Sequence, residues 1–169
     1  MSNTIIGTVS KGQVIIFVDL VGFTTICADL DAVDVGVWVE SFYDAVSDAA
    51  IDHCLRVVDH RGDCCVCMTG EEDGVCPVTR TLAFTRDLCA KIASPDFLAI
   101  GTRLDRNVSM ARMGVAMGEV ALLRGGRVGD KAAFLCILGS VVDMAEQMEA
   151  LSAPGCVLVH HDALEAWAR

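Results

Sequence analysis

Apolar positions along the chain fall into runs of two different periods. Residues 13–20 carry Val14, Ile15, Ile16, Phe17 and Val18 in succession, a β-branched and aromatic run that predicts a buried strand. Gly22 breaks it, and Thr24 or Thr25 is expected to cap a following helix. Between residues 33 and 52, Val35, Trp38, Val39, Phe42, Val46 and Ala49 recur at spacings of three and four, the stripe of an amphipathic helix. Two short strands are expected at 54–59 and 63–68, joined by a tight turn through His60, Arg61 and Gly62. A solvated loop at 71–74 follows. Pro77 opens a second helix running to about Ala93, with Leu82, Phe84, Leu88, Cys89 and Ile92 facing inward. Residues 94–106 are irregular, and a strand at 111–120 is expected to be cut by Gly114 and Gly118. The stretch 122–130 holds a glycine-rich turn at Gly125-Gly126, before a strand at 132–138. A helix at 140–151 turns Val142, Ala145, Met148 and Leu151 inward. Pro154-Gly155 leads into a last strand at 156–160 and a short helical tail.

The element order is β-α-β-β-α-β, then β-α-β, within one α/β (α+β) domain spanning 1–169. Its first six elements match the ferredoxin-like split β-α-β arrangement, in which strands one and three pair antiparallel. That pairing brings the end of strand one, with Asp19, beside the turn before strand three, with Asp63. Two carboxylates far apart in sequence then share one edge of the sheet.

Composition narrows the function. Hydrophobic residues make up 53 % of the 169 positions, which excludes intrinsic disorder. The formal net charge of −10 argues against nucleic acid and against an anionic membrane surface as partners. No stretch has the roughly 20 apolar residues that spanning a bilayer requires, and the N-terminus lacks the basic and apolar regions of a signal peptide. The nine cysteines fit reduced thiols in a cytoplasmic protein. So hydrophobic a small domain is also expected to place apolar surface in an oligomer interface.

Paired carboxylates at a strand end and a hairpin suit hard divalent cations such as Mg²⁺ or Mn²⁺. Two such ions can stabilise the attacking and leaving oxygens of an in-line phosphoryl displacement. The backbone of Gly22, Phe23 and Thr24 follows directly and is a candidate phosphate-binding turn. Taken alone, the spacing is better explained by a strand end and a Gly-Asp hairpin, since such turns are common.

The local sequences go further. Phe17-Val18-Asp19-Leu20-Val21-Gly22-Phe23-Thr24 resembles the first metal-binding motif of class III nucleotidyl cyclases, the adenylyl and guanylyl cyclase catalytic domains. Phe42-Tyr43, Arg56-Val57-Val58, Gly62-Asp63, Arg112-Met113-Gly114-Val115, Gly118-Glu119-Val120, Leu138-Gly139, Met148-Glu149 and Pro154-Gly155 resemble the family's later blocks in order. The resemblance implies a dimer that converts a nucleoside triphosphate to its 3′,5′-cyclic nucleotide and pyrophosphate. It assigns the two metal ions to Asp19, Asp63 and the Leu20 carbonyl. Base recognition falls on Asp59 and Cys136, closer to the guanylyl than the adenylyl pair.

The chain also departs from the family's pattern. Asp143 stands where the family usually has Asn, Gln147 stands where it usually has a transition-state Arg, and the sequence ends at Arg169 before the family's final Lys-bearing hairpin. These departures leave three readings. The chain is the metal-bearing half of a heterodimer whose partner supplies the missing groups, a divergent homodimer recruiting Arg61 or Arg112, or a pseudo-cyclase that dimerises or senses nucleotide without turnover. Taken singly, Arg61 is expected to be a solvated turn residue and Arg112 an ordinary strand-end charge. Cys64 and Cys67, on opposite faces of one strand, cannot chelate together, and His160-His161 is expected to be solvated.

Overall fold

The computed structural model describes residues 6–28, 30–70, 74–95, 97, 111–125 and 134–168. Elements run in the order β1 (Ile6–Leu20), α1 (Phe23–Cys27), α2 (Ala32–Asp52), β2 (Leu55–Arg61), β3 (Cys64–Thr69) and α3 (Pro77–Ile92). Then come β4 (Ala111–Gly125), β5 (Phe134–Leu138), α4 (Ser140–Leu151), β6 (Val157–Val159) and α5 (His161–Trp167). The sheet is ordered β2-β3-β1-β4-β5, with β6 parallel to β4. β1 pairs antiparallel with both β3 and β4, which is the split β-α-β topology expected from the element order.

Alternation along β1 divides the core. Val14, Ile16, Val18 and Leu20 pack with Trp38, Phe42 and Val46 of α2 and Phe84 and Leu88 of α3. Ile15 and Phe17 point the other way, against Val141, Val142 and Ala145 of α4. Each such fully buried side chain contributes about 1.5–3 kcal/mol of transfer free energy. β1 also reaches further back than expected. Past a register shift between Ser10 and Gln13 it continues along β4 to Ile6 opposite Arg124, forming an arm that β5 extends by pairing with β4 at Ala121–Gly125.

Several local expectations are corrected. Thr24 and Thr25 lie inside α1. The residue that caps α2 is Asp31, whose carboxylate accepts from the Val33 and Asp34 amides at 2.9 Å each. His60 and Arg61 belong to β2, so the hairpin shrinks to Gly62-Asp63, with Gly62 at φ +65°. Gly114 and Gly118 do not cut β4; α4 lies across both, and at Gly114 it is so close that only glycine fits. A Cβ on Gly114 would stand 2.0 Å from the Glu149 nitrogen and 2.2 Å from the Ala145 oxygen. β4 therefore runs on to Gly125, past the strand end expected at 120.

The buried stripe of α4 is Val141, Val142, Ala145 and Glu149; Met148 is half-buried and Leu151 is exposed. Leu82 and Cys89 of α3 are half-buried, while Arg80 is buried and donates to the carbonyls of Cys54 at 3.2 Å and Gly70 at 3.1 Å. The expected loop at 71–73, most of 94–106 and the turn after Gly125 lie outside the described residues.

Candidate active site

Asp19 closes β1 on the face that α4 covers, two positions after Phe17. Its cross-strand neighbours are Cys64 on β3 and Arg112 on β4. Asp63 occupies the β2–β3 turn, and its backbone carbonyl accepts the Leu20 amide at 3.3 Å. The hydroxyl of Tyr43 on α2 donates to the Gly62 carbonyl, so both the strand end and the helix hold this turn. The two carboxyls are near enough that the charge of Asp63 helps to raise the Asp19 pKa. The convergence of Asp19 and Asp63 expected from topology is therefore present.

Two further charged groups complete the cluster. Arg112 Nε lies 2.9 Å from Asp19 Oδ2 and 2.5 Å from Glu149 Oε1. One Nε–H thus stands between two carboxylates. Its hydrogen bond is aimed at Asp19, and Glu149 Oε1 makes an ion-pair contact without a directed bond. The Asp19 and Glu149 side chains are only 13 % and 10 % exposed. Burial raises the Asp19 pKa above its usual value; Arg112 opposes this and the charge of Asp63 adds to it. Burial and the charge of Asp19 likewise raise the Glu149 pKa.

When ionised, three carboxylates against one guanidinium leave the cluster two negative charges in excess. An all-oxygen donor set with that excess, already holding one cationic group, fits a hard divalent cation.

Arg112 is therefore not an ordinary strand-end charge, and sequence reasoning missed Glu149 as a member of the cluster. Both carried a signal. Arg112 falls opposite Asp19 in the β1–β4 register, and Glu149 falls on the apolar stripe of α4, where an acid needs a partner. Arg61 departs from expectation too. It lies on β2 with Nε 2.8 Å from Asp59 Oδ2 and Nη1 3.8 Å from Glu146 Oε1, above the Phe17 ring at 5.4 Å.

The other expected residues are more dispersed. Gly22 turns with φ +81°. The Phe23 ring stacks on Trp38 at 5.8 Å and so belongs to the core, while Thr24 is exposed. Asp59 on β2 and Cys136 on β5 sit on strands that approach one another. Asp143 and Gln147 are exposed together, one turn apart, on the outer side of α4. Cys64 packs on the α4 side of the sheet, and Cys65 and Cys67 on the opposite side; burial pushes the Cys64 and Cys65 pKa values up to about 12. His160 is mostly buried rather than solvated, and its ring accepts from the Asp162 amide at 3.5 Å to cap α5.

The family of adenylate and guanylate cyclase catalytic domains matches residues 8–168. The receptor-type guanylate cyclase gcy-23 of Caenorhabditis elegans is 30 % identical over 154 residues, covering 88 % of this chain. The chain spans only 13 % of that relative's length. A dimeric guanylyl cyclase domain of the RhoGC fusion protein from the aquatic fungus Blastocladiella emersonii superposes with a TM-score of 0.80 at 21 % identity, over 96 % of this chain and 86 % of that one. The adenylyl cyclase CyaB from P. aeruginosa superposes at 0.77 with 20 % identity, over 96 % and 83 %. At these identities the structural matches establish the fold.

Proposed function

The chain belongs to the adenylate and guanylate cyclase catalytic-domain family, and we propose that it is a nucleotidyl cyclase domain bearing the metal-binding half of a dimeric active site. Its reaction closes the 3′ oxygen of a nucleoside triphosphate onto the α-phosphate and releases pyrophosphate. The observation that carries this reading is the convergence of Asp19 and Asp63 in a cluster two charges short of neutrality.

Asp19, Asp63 and the Leu20 carbonyl hold two Mg²⁺ or Mn²⁺ ions, which when bound supply charge stabilisation to the attacking and leaving oxygens. The Arg112 side chain, 37 % exposed at the mouth of the cluster, donates from its free edge to phosphate oxygens. The turn at Gly22, Phe23 and Thr24 offers backbone amides to the same phosphates.

In a homodimer Asp59 and Cys136 favour a guanine base, with the Asp59 carboxylate accepting from its N–H groups and Arg61 fixing that carboxylate's orientation; beside a different partner they line a second, non-catalytic site and leave the base open. A row of apolar side chains across the arm supports dimerisation. Val9 is 66 % exposed, Ala121 lies opposite it, and Leu138, opposite Ala121, is 49 % exposed. The outward position of Asp143 and Gln147, neither suited to stabilising phosphate charge, favours a partner that supplies the complementary groups. The same two residues are the support for a second reading, a pseudo-cyclase that binds nucleotide and regulates without turnover.

A cyclase assay on the purified chain tests the proposal, offering ATP, GTP, CTP and UTP in turn with Mn²⁺ at several protein concentrations. A cyclic product formed at a rate rising faster than linearly with protein identifies an active homodimer. Absence of product with metal-dependent nucleotide binding retained leaves turnover to a complementary partner or to none, and addition of a cyclase subunit carrying Asn and Arg in place of Asp143 and Gln147 separates those two. Absence of both product and metal-dependent binding refutes the proposal.

A further inference from the structure

Glu149 is an acid where the pattern of α4 calls for an apolar residue. It occupies the buried stripe after Val141, Val142 and Ala145 and is 8 % exposed. It is held there by backbone contact, since α4 approaches β4 at Gly114 so closely that the space beside the Glu149 nitrogen admits no Cβ. Its oxygen reaches Arg112 Nε at 2.5 Å without a directed hydrogen bond, while the same N–H is aimed at Asp19. The Nε–H therefore has two carboxylate oxygens within reach and is directed at only one of them. Burying a carboxylate is costly unless it is paired, and among the described residues the cation given to Glu149 is Arg112.

We propose that Glu149 is a positioning residue that receives the Arg112 guanidinium when a divalent cation takes Asp19. This rests on the reading of Asp19 and Asp63 as cation ligands. A cation and a guanidinium cannot share the Asp19 carboxylate without repelling one another. With Glu149 beside it, Arg112 exchanges one acceptor for another by a small reorientation and remains at the mouth of the cluster. Without Glu149, Arg112 has Asp19 as its anionic partner and competes with the incoming ion. Glu149 thereby sets cation affinity through Arg112 rather than by touching the cation.

The test is a double-mutant cycle on Mn²⁺ binding, read by the loss of the free-ion electron paramagnetic resonance signal, using the wild type, Glu149→Gln, Arg112→Gln and the double variant. Circular dichroism and thermal melts establish that each is folded, and Asp19→Asn identifies the binding that belongs to this site. We expect Glu149→Gln to weaken Mn²⁺ binding about tenfold when Arg112 is present, and by less than about threefold when Arg112 is Gln.

A direct effect of the Glu149 charge would give the same fold-change in both backgrounds, and a purely structural role would leave the double variant as weak as Glu149→Gln; either result overturns the proposal. Unchanged affinity in a folded Glu149→Gln overturns it as well. Mn²⁺ binding that is indifferent to Asp19→Asn would remove the site assignment itself, a failure distinguishable from the others because it appears before Glu149 is altered.

Discussion

Gly114→Ala changes one hydrogen to a methyl in the middle of β4 and tests how α4 is seated. The residue is extended, so alanine meets no backbone strain of its own. The added Cβ would stand 2.0 Å from the Glu149 nitrogen, 2.2 Å from the Ala145 oxygen and 2.7 Å from the Glu149 Cα. Ordinary contact at about 3.5 Å requires the helix to move outward by about 1.5 Å, since all three atoms are backbone and no rotamer change relieves them. Overpacking typically costs 1–3 kcal/mol, and a clash with backbone belongs at the upper end, about 3 kcal/mol. For a domain of this size that is a fall in melting temperature of about 6–12 °C.

Gly118→Ala is the control. Its Cβ would meet the Val141 side chain at 3.1 Å, a contact that a small adjustment relieves, so a loss below about 1 kcal/mol is expected. Thermal melts followed by circular dichroism read both variants. A Gly114→Ala protein that melts within 2 °C of wild type, or no lower than Gly118→Ala, would refute the close approach of α4 to β4. The seating of Glu149 would fall with it.

Three other outcomes are expected. Tyr43→Phe removes the hydroxyl that bonds the Gly62 carbonyl and should cost about 1 kcal/mol of stability, visible in urea denaturation, together with weaker Mn²⁺ binding as the Asp63 turn loosens. Asp31→Ala removes two capping bonds from α2 and should cost about 1 kcal/mol by the same denaturation assay, leaving Mn²⁺ binding unchanged. Alkylation with iodoacetamide, mapped by mass spectrometry, should label Cys76 first. Backbone amides at the start of α3 lower its pKa, whereas burial raises those of Cys64, Cys65 and Cys67, and thiolate is the reacting form.

Much of the fold was legible because its signals are local and periodic. The α4 boundaries coincide with the expected 140–151, and the antiparallel pairing of strands one and three follows from element order. The meeting of Asp19 and Asp63 was legible for the same reason, being a consequence of topology. What escaped was set by tertiary contact. Gly114 and Gly118 read as strand breakers because a sequence does not show that a helix lies across them. Leu151 read as inward by continuing a spacing of three, yet the stripe of α4 runs through Val141, Val142, Ala145 and Glu149, leaving Leu151 at the helix end 72 % exposed. Glu149 escaped because an acid on a helix is ordinarily solvent-facing, and only the register that sets Arg112 opposite Asp19 supplies a reason to bury one. Arg61 read as a turn residue because the hairpin is tighter than its glycine alone implied.

The central claim, that Asp19 and Asp63 bind cations which in turn hold a nucleoside triphosphate, is tested most directly by equilibrium binding of a fluorescent GTP analogue. Binding would be measured with and without Mn²⁺, for wild type and Asp19→Asn. The account expects binding that requires Mn²⁺ and weakens about tenfold or more in the variant, the least that loss of a direct ligand should do when outer-shell changes alone cost 10–100-fold. Equal affinity in the two proteins, or binding unaffected by Mn²⁺, would contradict it.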